Sequence, residues 1–407
     1  MHQTNFTMIN PSASGWIDKF FTLAKKKLPV DAVSPDGFYA TLRGTGFIYG
    51  YVTGFDSIDK KEMKGWDSEE TTKAALLVTL YELYRLMTGK EESAEFIDKA
   101  LDFYSEMTPE GFRFLKKVLP ASRKSHELES VLNERVQTNE NIISKTFSHI
   151  LTNALLFMDV LAFMHYLQND AIPAKYLRKL EETTLSLVSL ALKIKTTKSD
   201  YDDLLIKLFE SSVRYTKFSR VKTNELSKLD LDNFESDLEK NYLLDMACMA
   251  IWNDGRAEEN EIDFLYDLAK QLGLNDAVAA ESIASFDVFI KLHKKDIPYF
   301  RYSNPVMHFY GNASQNVKQL INRNKKRLVK ELSNNGELML LLTHSTHRSL
   351  DAKEKKKVKK QLLEMCKTIP SLTIFILPGG SLLLPLLIKF IPQLLPSVFN
   401  ENLDNNE

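Results

Sequence analysis

Glu69-Glu-Thr-Thr-Lys-Ala-Ala-Leu-Leu-Val-Thr-Leu-Tyr-Glu-Leu-Tyr84 sets the period for most of the chain: Ala74, Leu77, Leu80, Tyr81 and Tyr84 recur at three- and four-residue steps. That spacing puts apolar side chains on one face of a helix, where strict alternation would have made a strand. The pattern continues C-terminally and predicts helices at 92–107, 109–118, 124–137, 140–168, 174–196 and 201–217. Ala154 to Met164 is almost wholly apolar, but it is shorter than the roughly 18 residues a membrane span needs and Asp159 interrupts it, so a buried core helix is expected. The fold class is all-α.

N-terminal to this region, Gly15 to Lys27 reads as a short amphipathic helix with Trp16, Phe20, Leu23 and Ala24 on one face. It suits a protein core or a lipid surface equally. Pro29 to Trp66 interleaves Gly44, Gly46, Gly50 and Gly54 with aromatics and is expected to be irregular. Residues 1–68 therefore form an N-terminal region, 69–217 a helical domain, and the polar stretch 218–238, with Asn224, Ser227, Asn233 and Ser236, a linker.

With 407 residues, 44% hydrophobic and 26% charged, the chain has ample core material for more than one compact unit. Fifty-three basic residues face fifty-four acidic ones, and the net charge of −1 argues against DNA or another nucleic acid as partner. Cys248 and Cys366 lie far apart with no CxxC spacing, which points to buried thiols in a reducing compartment. Met1 to Lys27 has no secretory pattern, so the body is expected to be cytoplasmic, and Met8 is an alternative start. Phosphate-binding glycine loops, HExxH and GxSxG are all absent from the sequence, and no enzyme activity is expected. His344 and His347 could share a helix face, but the sequence offers no third ligand, and Ser345-Thr346 suggests a polar turn and a surface pair.

Residues 239–295 read as three helices, Tyr242–Trp252, Glu258–Leu272 and Asp276–Leu292, with an acidic turn at Asn253-Asp-Gly. Aligning Gly255 with the glycine of an EF-hand loop would put Ala250 and Trp252 at ligand positions, which excludes that motif. Leu244 to Leu265 resembles the tellurite-resistance TerB-like helical module, some members of which bind a divalent cation through such acids. The resemblance implies Asp254, Glu258 and Glu261 as metal ligands. The same acids in a first helical turn also complement the helix dipole with no ion present.

Residues 296–368 form a helical region ending in Lys353-Glu-Lys-Lys-Lys-Val-Lys-Lys360, after which Ser371 to Ile388 carries no charge. That length is at the lower bound for crossing a hydrocarbon core of roughly 30 Å. Pro378, Gly379, Gly380, Pro385, Pro392 and Pro396 punctuate it and leave a kinked span, an in-plane segment, a re-entrant hairpin or packing inside the helical body open. Lys355, Lys356, Lys357, Lys359 and Lys360 would hold anionic headgroups on the cytoplasmic side. The tail 400–407 is acidic.

Ile369-Pro-Ser-Leu-Thr-Ile-Phe-Ile-Leu-Pro-Gly-Gly-Ser-Leu-Leu-Leu-Pro-Leu-Leu-Ile-Lys-Phe-Ile-Pro-Gln-Leu-Leu-Pro-Ser-Val-Phe399 resembles the membrane segment of the leucine-zipper, EF-hand-containing transmembrane (LETM) family. Pro370, Pro378, Pro385, Lys389, Pro392, Leu395, Pro396, Ser397 and Phe399 carry the likeness. It implies a lipid membrane as partner, with ribosome binding and cation/proton exchange as family activities. Two departures stand out: the sequence runs only eight residues past Phe399, and Ser381 replaces a family acid that could carry protons. With the TerB-like module, the pattern resembles bacterial LETM-related, biofilm-associated proteins. It implies a bacterial inner-membrane location and a binding or scaffolding role. A transport reading would need a homo-oligomer with Lys389 as its charge in the membrane. A third reading is a metal-responsive stress module.

Overall fold

The computed structural model describes residues 9–24, 35–55, 57–58, 63, 65–107, 123–136, 153–194, 225–252, 257–297, 317–318, 321–322, 324–348, 350–369, 372 and 384–391. These residues form α-helices and two short 3-10 turns, with no strand among them. The helices are α1 (Trp16–Ala24), α2 (Pro35–Thr45), α3 (Ser68–Thr88), α4 (Ser93–Glu106), α5 (Lys124–Val136), α6 (Phe157–Asn169), α7 (Tyr176–Ile194), α8 (Asp237–Ile251), α9 (Glu259–Gln271), α10 (Asp276–His293), α11 (Lys325–Ser333), α12 (Gly336–His347), α13 (Ala352–Thr368) and α14 (Leu384–Phe390). The helices expected at 109–118 and 201–217 lie outside the described residues.

Helix α3 begins where its sequence says it should. Asp67 accepts from the Glu70 N–H at 2.8 Å and Glu70 accepts from the Asp67 N–H at 2.9 Å, so each satisfies a donor the first turn leaves open. Helix α8 starts at Asp237, five residues before the expected Tyr242, because Ser236 and Glu239 form the same reciprocal cap. It is buried on nearly every side, touching α7, α9, α10 and the 3-10 turn Phe47–Tyr49, and it forms the axis of the body.

Two regions read from composition differ in the structure. The stretch 29–66, expected to be irregular, contains α2 and the Phe47–Tyr49 turn. Phe38, Tyr39 and Leu42 give α2 a buried face that outweighs its glycines. Gly46 ends it at φ +77, and a Cβ there would lie 2.2 Å from the Tyr51 carbonyl oxygen, so only glycine fits. The stretch read as a linker buries Leu231 and Phe234 against the same core. That core is continuous from Ile9 to Ile297, and the helices of 239–295 share it with those of 69–194. Helix α1 docks on it through Trp16, Ile17, Phe20 and Phe21, and Glu129 accepts from the N–H groups of Gly15 and Ile17, both at 3.0 Å.

Among the described residues of the body, several buried charges are paired. Asp159, the interruption in the apolar run of α6, is buried and binds the Arg135 guanidinium through Nε at 2.7 Å and through Nη2, with the Tyr104 hydroxyl at 3.3 Å. Asp245 takes Arg43 Nε at 2.9 Å, Nη2 at 3.2 Å and the Tyr39 hydroxyl at 2.9 Å. Burial raises its carboxyl above the usual range, and Arg43 pulls it back. Glu239 takes the Tyr176 hydroxyl at 2.7 Å and faces His165 Nε2 at 2.9 Å. Buried charges need such partners. Cys248 and Cys366 are buried free thiols.

Helices α11 to α14 close on a second, smaller cluster. Val317, Ile321, Leu328, Leu332, Leu338, Leu342, Val358, Leu362, Cys366, Ile369, Leu372, Leu387 and Ile391 are its most buried members.

Candidate functional site

The basic helix α13 is set by Asp351, whose carboxylate accepts from the N–H groups of Lys353 at 2.7 Å and Glu354 at 2.8 Å. Glu354 returns the favour to the Asp351 N–H at 2.9 Å and takes both Nη groups of Arg348, at 2.8 and 2.6 Å. The Arg348 hydrogen bonds hold its carboxyl down at about 2. With the start fixed, Val358, Leu362, Met365, Cys366 and Ile369 fall at helical spacing on the inner face and are buried. The register therefore forces the lysines outward. Lys353, Lys355, Lys356, Lys357, Lys359 and Lys360 are all exposed.

Lys357 pairs with Glu337 of α12, and Gln361 Nε2 donates to the same carboxylate at 2.9 Å. These contacts, Lys357 first, lower the Glu337 carboxyl below its ordinary range. Among the described residues no carboxylate pairs with Lys353, Lys355, Lys356, Lys359 or Lys360. Five ammonium groups on one short surface are thus left to solvent or to an anionic partner.

The surroundings are equally cationic. Residues 317–391 hold fifteen lysines and arginines against five acids, a balance of +10, while the rest of the chain holds thirty-eight against forty-nine. The whole-chain charge of −1 conceals this asymmetry. Lys325, Lys326, Arg327 and Lys330 of α11 are exposed and belong to the same surface chemistry. Sequence reading missed them, although a local charge count would have found them. Lys318 places Nζ 4.8 Å from the centre of the Phe390 ring, and Lys389, exposed on α14, lies 5.8 Å from it.

Other expected site residues are scattered or outside view. Pro378, Gly379, Gly380, Pro392 and Pro396 lie outside the described residues, and Pro385 is the second residue of α14. That helix of seven residues is about 10 Å long, a third of a hydrocarbon core. Its Leu386, Leu387 and Phe390, with Ile391, are buried in the cluster of α11 to α13. No helix among the described residues is long and apolar enough to cross a membrane. Asp254 lies outside the described residues. Glu258 and Glu261 stand at the start of α9, where Glu261 accepts from the Glu258 N–H at 2.7 Å. Among the described residues no group of three His, Cys, Asp or Glu could hold a metal ion. The turn expected at Ser345-Thr346 is helical, since α12 runs through His347.

Residues 350–407 match the family model described as LETM1-like, RBD, the ribosome-binding domain of that family. The matched span contains both the lysine helix and the proline-punctuated segment, and the C-terminal part of the chain is LETM-like. No curated protein and no solved structure matches the chain.

Proposed function

We propose that the chain is a non-enzymatic, membrane-associated LETM-like docking protein whose lysine helix rests on an anionic surface while the acidic helical body offers a face to partners. The carrying observation is the set of five exposed lysines on α13 with no carboxylate partner among the described residues, inside the span that matches the family model. Near an anionic leaflet each such lysine is worth about 1 kcal/mol, and together they suffice to hold a soluble mass at a surface. On this reading the site is the cytoplasmic face of a bacterial inner membrane. The biological setting is envelope or biofilm physiology. The body's own charge, negative overall, keeps the remainder of the molecule off that leaflet.

A second reading is favoured by the family description itself: the same lysines would meet ribosomal RNA phosphates. Cell fractionation separates the two. Full-length protein should sediment with membranes, and a version with Lys355, Lys356, Lys359 and Lys360 changed to Glu should not. Co-migration of the full-length protein with ribosomes instead of membranes would replace the first reading by the second. Carbonate extraction then tells surface attachment, which it releases, from a buried segment, which it does not.

A further inference from the structure

We infer that Leu340 of α12 is an apolar anchor that enters the lipid interface beside the lysine helix, so that the C-terminal unit docks by charge and insertion together; this rests on the membrane reading above. Among the described residues of 317–391, Leu340 is the one large apolar side chain more than half exposed, at 51%. The helix around it buries Leu338, Leu341, Leu342 and Thr343, which fixes its outward direction.

Its neighbours are defined by register. Glu337, one turn earlier on the same face, is held by Lys357 and Gln361 of α13. Arg348, just past the end of α12, is held by Glu354 of α13. Helices α12 and α13 therefore run side by side in opposite senses, and helical register puts Leu340 one turn from Glu337 and its α13 partner Lys357. Helix α11 packs against α12 as well and adds the exposed Lys325, Lys326, Arg327 and Lys330 to the unit.

An exposed leucine fringed by lysines is the chemistry of an interfacial anchor: the ammonium groups meet phosphates and the aliphatic side chain reaches the acyl boundary. A nucleic-acid surface would use the lysines and leave the leucine idle, and it would gain more from arginine and stacking aromatics. Charge complementarity and the apolar tip together select an anionic lipid surface.

The test uses the full chain with vesicles of phosphatidylcholine containing phosphatidylglycerol. Leu340→Ser should weaken vesicle binding about tenfold, the effect of losing roughly half of a buried leucine. The loss should persist at high salt, where the deficit of a Lys355, Lys356, Lys359 and Lys360 to Glu variant shrinks. Leu340→Trp should keep its affinity, and its added emission, taken as a difference from wild type, should shift to the blue and be quenched by bromine-labelled acyl chains. Circular dichroism unchanged in both variants confirms that folding is intact. Binding of Leu340→Ser equal to wild type, with no quenching in Leu340→Trp, overturns the anchor while leaving lysine docking standing. Failure of wild type to bind any such vesicle overturns both. Binding of polyuridylate without vesicle binding assigns the surface to RNA and overturns both as well.

Discussion

In residues 9–297 the decisive charges are inside, and in residues 317–391 they are outside. Arg135–Asp159, Arg43–Asp245 and Glu239 with Tyr176 are buried among aromatic rings. The smaller unit buries aliphatic side chains with Cys366 and Phe390, and shows its lysines to solvent. Internal pairs fix which helices meet but offer nothing to a partner. Unpaired surface charges contribute little to folding and much to encounter. On the proposed reading the two regions divide the labour, with the C-terminal unit making the contact and the body carried by it.

The sharpest way to break that contrast is Asp159→Ala. It removes the carboxylate from the buried Arg135 and should destabilise the body by about 3–5 kcal/mol, read from urea unfolding followed by Trp16 and Trp252 emission. Labelling of Cys366 should be unchanged by it. An equal rise in Cys366 labelling would mean that the two regions unfold as one.

Leu362→Ala addresses the other side. Opening a cavity under α13 should cost about 2–5 kcal/mol in the smaller unit. Burial pushes the Cys366 thiol up to about 12, so it is inert in the folded unit. The variant should expose it to thiol reagents while Cys248, in the body, stays protected. Slow labelling of both cysteines in the variant would contradict a separately cooperative unit.

Arg348→Ala gives the smallest effect. Glu354 has a depressed carboxyl, so the pairing supports α13 above the ordinary glutamate range near 4.5 and is lost as pH falls through about 2. Removing Arg348 should move the Glu354 titration, followed by NMR, back toward 4.5. A titration that stays near 2 would assign the shift to the Asp351 N–H instead.

Much of this architecture was legible in the residues. Apolar spacing placed α4, α5, α7, α9 and α10 and the start of α3 within a residue or two, and the same periodicity marks Val358 and Leu362 as the inner face of α13. Asp159 stood out as the interruption of an apolar run, but nothing local to it pointed to a partner in Arg135, twenty-four residues earlier. Helix α2 was hidden because four glycines suggested disorder of pattern, while its reason for being helical is tertiary: Tyr39 and Arg43 reach Asp245, two hundred residues away. The lysines of α13 were visible as a run. Those of α11 were obscured by averaging charge over the whole chain, and Leu340 by its place in an apolar stretch whose Leu338, Leu341 and Leu342 turn inward.

The central claim is that an anionic surface recognises α13 through charge. Co-sedimentation of the full chain with phosphatidylglycerol-containing vesicles across a salt series tests it most directly. Affinity should fall steadily as salt rises, and changing Lys355, Lys356, Lys359 and Lys360 to Glu should remove most of the low-salt binding. Binding by that variant as tight as wild type, with the same salt dependence, would show that the lysine helix is not the contact.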